Sequence, residues 1–422
     1  MNFKNTLKFC TASLLCLLTL ASCDKKTEEK PDETDNSQVE NPTPENTDTA
    51  LPTEKYDVPL VTSLEITDEV PGGYYSITAM TDGVFKVFAD DFSMGLMKAD
   101  GKLILPCDYS TARSIKDNVT AVRNDMGMWG FFNVDSESFI LGCENDSVYD
   151  FSEGIGLYSP DGKVYRYIYP DGSVAIDRDF FEAAPFSDGL ARVFSEIGIG
   201  YINKDGKIEI YCDYDNFDDF HEGMARVAEK NVFGYIGKDG KLKFNMKSTA
   251  IYNYKDGAAA FVVGGLIGYI DKESRVLAEP IYTSPDRNRT DEYFRFECGV
   301  APVMKDGKYG FINKDGELVI DAIYDDVHYA VDGIIRVRNN KLYGYITTDG
   351  EKITDCIFEE AGLFHSGVAK VRKDGKYYFI NKEGTDLCTE HFDDATEFSD
   401  GTAFAVKQGT KQWTRVTVGK SE

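Results

Sequence analysis

This 422-residue sequence predicts an all-β fold of tandem antiparallel units, each of about 34 residues and three short strands. Three observations predict it. The segment FSDGLARV at 186–193 returns as FHEGMARV at 220–227, FHSGVAKV at 364–371 and FSDGTAFA at 398–405, and more loosely at 254–260. Its glycines stand at 154, 189, 223, 257, 299, 333, 367 and 401, a step of 34 or 35 with a single step of 42. A second anchor keeps the same step: Trp129-Gly130-Phe131, Gly200-Tyr201-Ile202, Gly234-Tyr235-Ile236, Gly268-Tyr269-Ile270, Gly310-Phe311-Ile312 and Gly344-Tyr345-Ile346. Between the anchors, β-branched and aromatic residues alternate with polar ones, and no stretch sustains a helical period.

The chain before the repeats reads as two further segments. Lys4 and Lys8 precede a mostly apolar run to Leu20, long enough for an export signal and short for a membrane span. It ends in Leu20-Ala21-Ser22-Cys23, which resembles the lipobox of bacterial lipoproteins. The resemblance implies a signal peptide over 1–22 and lipidation of Cys23, the membrane being reached through that lipid. Asp24 to Asp57 holds eleven acidic and four basic residues, with little large apolar surface to offset ordering entropy. Residues 23–59 are therefore expected to be a disordered, self-repelling tether. Asp48-Thr49-Ala50 resembles an acceptor motif for O-glycosylation in some bacterial lipoproteins, which would modify Thr49.

Within a repeat the strands are Leu190 to Phe194, Ile199 to Asn203 and Lys207 to Tyr211. NKDG at 203–206 joins the second to the third, and it recurs at 313–316 and, as NKEG, at 381–384. Asp tolerates positive φ and Gly accepts it without steric cost, so each copy is a tight hairpin turn. The unit from Gly307 to Ile320, GKYGFINKDGELVI, followed by Tyr324-Asp325, resembles the WG repeat (also called KWG) of bacterial proteins. The resemblance spans about nine units between 80 and 418, is weaker at its ends, and implies a repeat scaffold without a reaction. A domain over 60–418 with a short tail at 419–422 follows. Nine or ten units exceed the four to eight blades of typical propellers, so an open β-solenoid or superhelix is expected, with a closed propeller-like array as the alternative. Degenerate end units would act as caps.

The formal net charge is −26, of which the signal contributes +2 and the tether −7, leaving −21 on the repeats. Such a surface excludes nucleic acid and anionic lipid as main partners. Acidic pairs recur in register after the third strand: Asp215-Asn216, Asp325-Asp326, Glu359-Glu360 and Asp393-Asp394. They form either a stripe for divalent cations or a basic partner, or turn acids that face solvent. Asp213, Asp215, Asp218 and Asp219 have enough oxygens for a weak calcium site. The aromatic before the anchor glycine (Trp129, Phe233, Tyr309, Tyr343) is either a sugar-stacking ladder or core, and Ile199 and Ile267 in the same slot favour core.

Six cysteines fall in the repeats; Cys107, Cys212 and Cys356 share a slot, lie units apart, and read as buried thiols. His221 and His365 share one repeat position, which points to a scaffold role. The 42-residue step adds eight residues within 283–293, and Arg287, Arg289 and Arg295 make a basic spot there, either a recognition loop or a tolerated one. There is no nucleophile elbow and no phosphate-cradling loop, so no catalytic residue, cofactor or metal is assigned. The expected function is a lipid-anchored, non-catalytic scaffold of the cell envelope that binds a protein or glycan through its repeat surface. A Gram-negative-type envelope is expected, at the outer membrane or cell surface rather than the inner membrane. The alternative is an envelope saccharide-processing enzyme using a groove or channel of the array.

Overall fold

The computed structural model describes residues 60–70, 73–230, 232–283 and 294–419. Among these no helix forms, and the strands assemble into ten antiparallel units in chain order. Unit four is representative: strands Glu182–Ala183, Ala191–Ser195, Gly198–Ile202 and Ile208–Tyr211 pair each with the next. The short first strand, folded from the irregular link, is the element that the sequence pattern did not show.

Two turns are written by the repeat. Asp188 and Gly189 both take left-handed φ, at 55° and 79°, and Ser187 and Leu190 exchange both backbone hydrogen bonds across them. That is a two-residue hairpin needing positive φ twice, which explains why an acidic or small residue precedes the repeat glycine. In the NKDG turn, Gly206 N donates to Asn203 O at 2.9 Å, while Asn203 Oδ1 accepts from Asp205 N and Lys207 N, both at 3.0 Å. The loop is three residues long and ends on left-handed Gly206, while a separate bulge at Glu209 shifts the register between Tyr201 and Ile202.

The anchor glycine follows from the fourth strand. That strand folds over Gly200, Gly310 and Gly344, where a Cβ would stand closer than 3.0 Å to the carbonyls of Ile210, Ile320 and Asp355. No side chain fits beneath the crossing strand.

The core sits in the clefts between units. Leu190, Tyr201 and Ile210 of unit four pack against Phe217, Phe220 and Val227 of unit five, and the other clefts repeat the arrangement. The last cleft joins the two ends of the array: Phe85, Val87 and Met97 of unit one pack with Phe404, Val406 and Trp413 of unit ten. Leu64–Glu69 pairs antiparallel with Trp413–Val418 and so supplies the fourth strand of unit ten from the opposite end of the chain. Trp413 Nε1 donates to Tyr74 O at 3.2 Å, and Gly83 N donates to Ser399 Oγ at 3.0 Å.

The tandem all-β array is as the sequence predicts, but its arrangement is the closed alternative, not the open solenoid. The physical reason is the end units. An open array needs polar caps over two apolar ends, whereas here those faces carry Phe85 and Phe404, both fully buried against one another. Burying such a ring contributes about 1.5–3 kcal/mol.

Candidate functional site

The first strands lie at the inner edge of the ring. Those of units two and three touch, Ser114 Oγ donating to Asp150 Oδ2 at 3.0 Å, while fourth strands carry exposed Tyr211, Ile281 and Ile323 outward. Three sets of side chains, each at one repeat position, cross between units there. The tyrosines after the anchor glycine are buried and donate to the next unit's first strand or the residue just after it: Tyr201 to Asp218 O, Tyr235 to Tyr252 O and Tyr345 to Gly362 O, at 2.5–2.6 Å. The cation three residues after the repeat glycine does the same: Arg192 to Phe217 O, Arg226 to Ile251 O, Arg336 to Ala361 O and Lys370 to Ala395 O, at 2.7–3.1 Å. In unit two Arg113 reaches Val148 O from the first strand instead, lying 4.2 Å over the Trp129 ring. Finally, turn carboxylates accept from the next unit's glycine N–H, as Glu153 does from Gly189, Asp188 from Gly223 and Glu222 from Gly257. Ser366 accepts likewise from Gly401 N, and in the closing cleft Ser399, one position earlier in its turn, accepts from Gly83 N.

Two recesses open on this edge. One, of about 520 Å³, is lined by Arg113, Lys116, Tyr149, Asp150 and Glu153 of units two and three, with Pro185 of unit four. The other, of about 290 Å³, spans units eight to ten and is lined by Arg336, Glu360, Leu363, His365, Lys370 and Glu397. Glu397 stands 3.5 Å from Lys370 Nζ, and its Oε2 is buried with no hydrogen-bond partner among the described residues. Burial pushes its carboxyl above the ordinary range, against the pull of Lys370, His365 and Arg336. Gly362 makes room for it, since a Cβ there would stand closer than 3.0 Å to Glu397 Oε2.

The acidic pairs do not form an open stripe. Asp325 is held by Lys308 and Asn340 N, and Asp393 by Lys376 and Gly409 N. Glu359 accepts from Gly375 N, as Asp215 does from Lys230 N. The first acid of each pair thus serves the backbone of the turn between the second and third strands of its unit. Glu360 pairs with Arg372 at 2.7 Å and accepts from Tyr377; Asp326 stands 3.5 Å from Arg338, and Asp394 accepts from Ala395 N. Asp218 and Asp219 are taken by Arg226 and Arg192, and no group of three potential metal ligands exists among the described residues.

Arg295 is an inner-edge residue, its guanidinium 4.0 Å over the Tyr329 ring and 3.2 Å from Glu297. Arg287 and Arg289 lie outside the described residues, as do Cys23 and Thr49. Tyr309 is buried in the core, and Tyr343 lies beneath Arg336 and Arg338. The six cysteines among the described residues are free, and burial pushes the Cys212 thiol up to about 11 and the Cys388 thiol up to about 12. Arg336, Lys370 and Glu397 escaped the sequence reading, although Ile335-Arg336-Val337 and Ala369-Lys370-Val371 stand in register with the Ala-Arg-Val of units four and five.

Solved structures similar to this chain share little sequence with it. The eukaryotic initiation factor matches at 11% identity over 80% of this chain and 94% of that one, with a TM-score of 0.45. The WD40 domain of SCAP from fission yeast matches at 11% over 85% and 98%, with a TM-score of 0.33. The computationally designed Ika8 protein matches at 11% over 83% and 98%, with a TM-score of 0.31. At these values no activity transfers. No curated protein matches. The WG containing repeat matches residues 94–125, 199–232, 233–266, 267–309, 309–343 and 343–377, together half of the chain. With the anchor glycine, the buried tyrosine and the turn explained unit by unit, the chain belongs to the WG containing repeat family.

Proposed function

We propose that this protein is a lipid-anchored scaffold of the bacterial cell envelope that binds a protein or glycan partner without chemical turnover. The observation that carries the reading is how the recurrent polar residues are used. The tyrosines, cations and turn carboxylates of the repeat are engaged in holding neighbouring units together. Rigid units with shallow recesses on the inner edge offer extended surface for recognition. The lipobox resemblance and the acidic tether support an anchor at Cys23 that holds the ring away from the membrane, at the outer membrane or cell surface.

Two measurements test this. Metabolic labelling with a fatty-acid probe should mark the wild type and leave Cys23→Ala unlabelled; equal labelling ends the anchor. Affinity capture from native envelope with the full-length chain should return one saturable partner, and a capture no richer than that of an unrelated acidic lipoprotein refutes the scaffold role.

A further inference from the structure

We infer that the inner-edge recess of units eight to ten binds the carboxylate of an acidic sugar ring. The inference rests on the proposed scaffold role and names the ligand class of one of its surfaces.

The charges are in place before a ligand arrives. Arg336 and Lys370 come from the second strands of neighbouring units, and their nitrogens are fixed on Ala361 O at 2.7 Å and Ala395 O at 3.1 Å. The Lys370 side chain is only 19% exposed, so its charge is weakly screened. Holding cations in this way removes the ordering cost that free lysines impose on an incoming anion.

The charge balance of the recess is positive. Of its two carboxylates, Glu360 is already held by Arg372 at 2.7 Å and by the Tyr377 hydroxyl. That leaves Glu397 alone to oppose Arg336 and Lys370, and it meets Lys370 only at 3.5 Å. One positive charge stays uncompensated inside a chain of net charge −26. Such a spot selects a single carboxylate over a neutral ligand, and the surrounding acidic surface rejects polyanions.

Size and walls select a ring. A volume of about 290 Å³ lies at the low end for small-molecule sites. Leu363 and the His365 imidazole provide faces for C–H groups, and the carboxylates accept from hydroxyls. A peptide carrying the same acid needs room for main chain on both sides.

Calorimetric titration of the full-length chain with glucuronate, glucose and N-acetylglutamate tests the inference. Glucuronate should bind in the millimolar range and glucose should give no heat. Glu397→Gln should tighten glucuronate about two- to fivefold, the effect of removing one partly buried competing charge. Lys370→Met should weaken it by a similar factor, with circular dichroism reporting its fold. If that variant fails to fold, the sign of the Glu397→Gln effect decides. A merely structural Glu397 would leave affinity unchanged or lower it, and either result overturns the inference. So do equal binding of glucose, absence of binding in both wild type and Glu397→Gln, and N-acetylglutamate binding as tight as glucuronate. Failure here with envelope capture intact removes only the ligand class, whereas glucuronate binding without any capture removes the scaffold reading.

Discussion

Replacing Gly316 by Ala separates two costs that the repeat glycines combine. Gly316 has φ of 78°, and an Ala there meets the left-handed penalty of about 1–2 kcal/mol. Its missing Cβ also faces unit six, where the added atom would stand closer than 3.0 Å to the Leu277 carbonyl oxygen, a backbone atom that no rotamer can move. Overpacking of this kind costs about a further 1–3 kcal/mol. Gly375 provides the control, since it has φ of 74° in a hairpin turn but nothing within 4 Å of a built Cβ. Gly316→Ala should therefore destabilise by about 2–5 kcal/mol and Gly375→Ala by about 1–2 kcal/mol. Urea titration followed by tyrosine fluorescence, with equal slopes for both variants, measures the difference. Equal destabilisation would refute the claim that the NKDG turn is packed onto the preceding unit.

Tyr345→Phe removes the donor to Gly362 O from a buried site and should cost about 1–2 kcal/mol of unfolding free energy, read by the same titration. The Glu397 carboxyl is raised by burial, so its protonated form favours the fold: its contribution is complete below the ordinary value of 4.5 and is lost as pH rises through the raised one. Melting curves of Glu397→Gln should match the wild type near pH 4 and lie above it at pH 7; matching curves throughout would deny the shift. Deleting 286–293 should change stability by less than about 1 kcal/mol, because closure entropy grows only logarithmically with loop length. The same deletion should abolish envelope capture if Arg287 and Arg289 form the recognition element.

Three of the four strands of a unit, their order and both turn positions were legible because one pattern is repeated, and each repeat votes for the same assignment; the short first strand, folded from the irregular link, was not. Ring closure was not legible, since Leu64–Glu69 resembles no repeat strand and its partner lies at the other end of the chain. The acidic pairs show why periodicity alone misleads about sites. Asp325 and Asp393 recur because the turn between second and third strands has amide groups to satisfy, and recurrence by itself does not distinguish that need from a ligand's. The second recess was hidden for the opposite reason: Glu397, His365 and Arg336 come from three units at different repeat positions, so no local spacing joins them.

The closing strand also sets an order of events during synthesis. Every other cleft joins neighbours a few tens of residues apart, but Thr414 Oγ1 meets Thr67 O across 347 positions. By logarithmic scaling alone, closing so long a loop costs about 5 kcal/mol before any contact repays it. Units that have already stacked shorten the effective loop, so the seam is expected to form last and only after the C-terminal strand has left the ribosome. Until then Phe85 faces solvent, and a chain truncated before Trp413 leaves Leu64–Glu69 and the edge of Thr402–Lys407 without their partner strand.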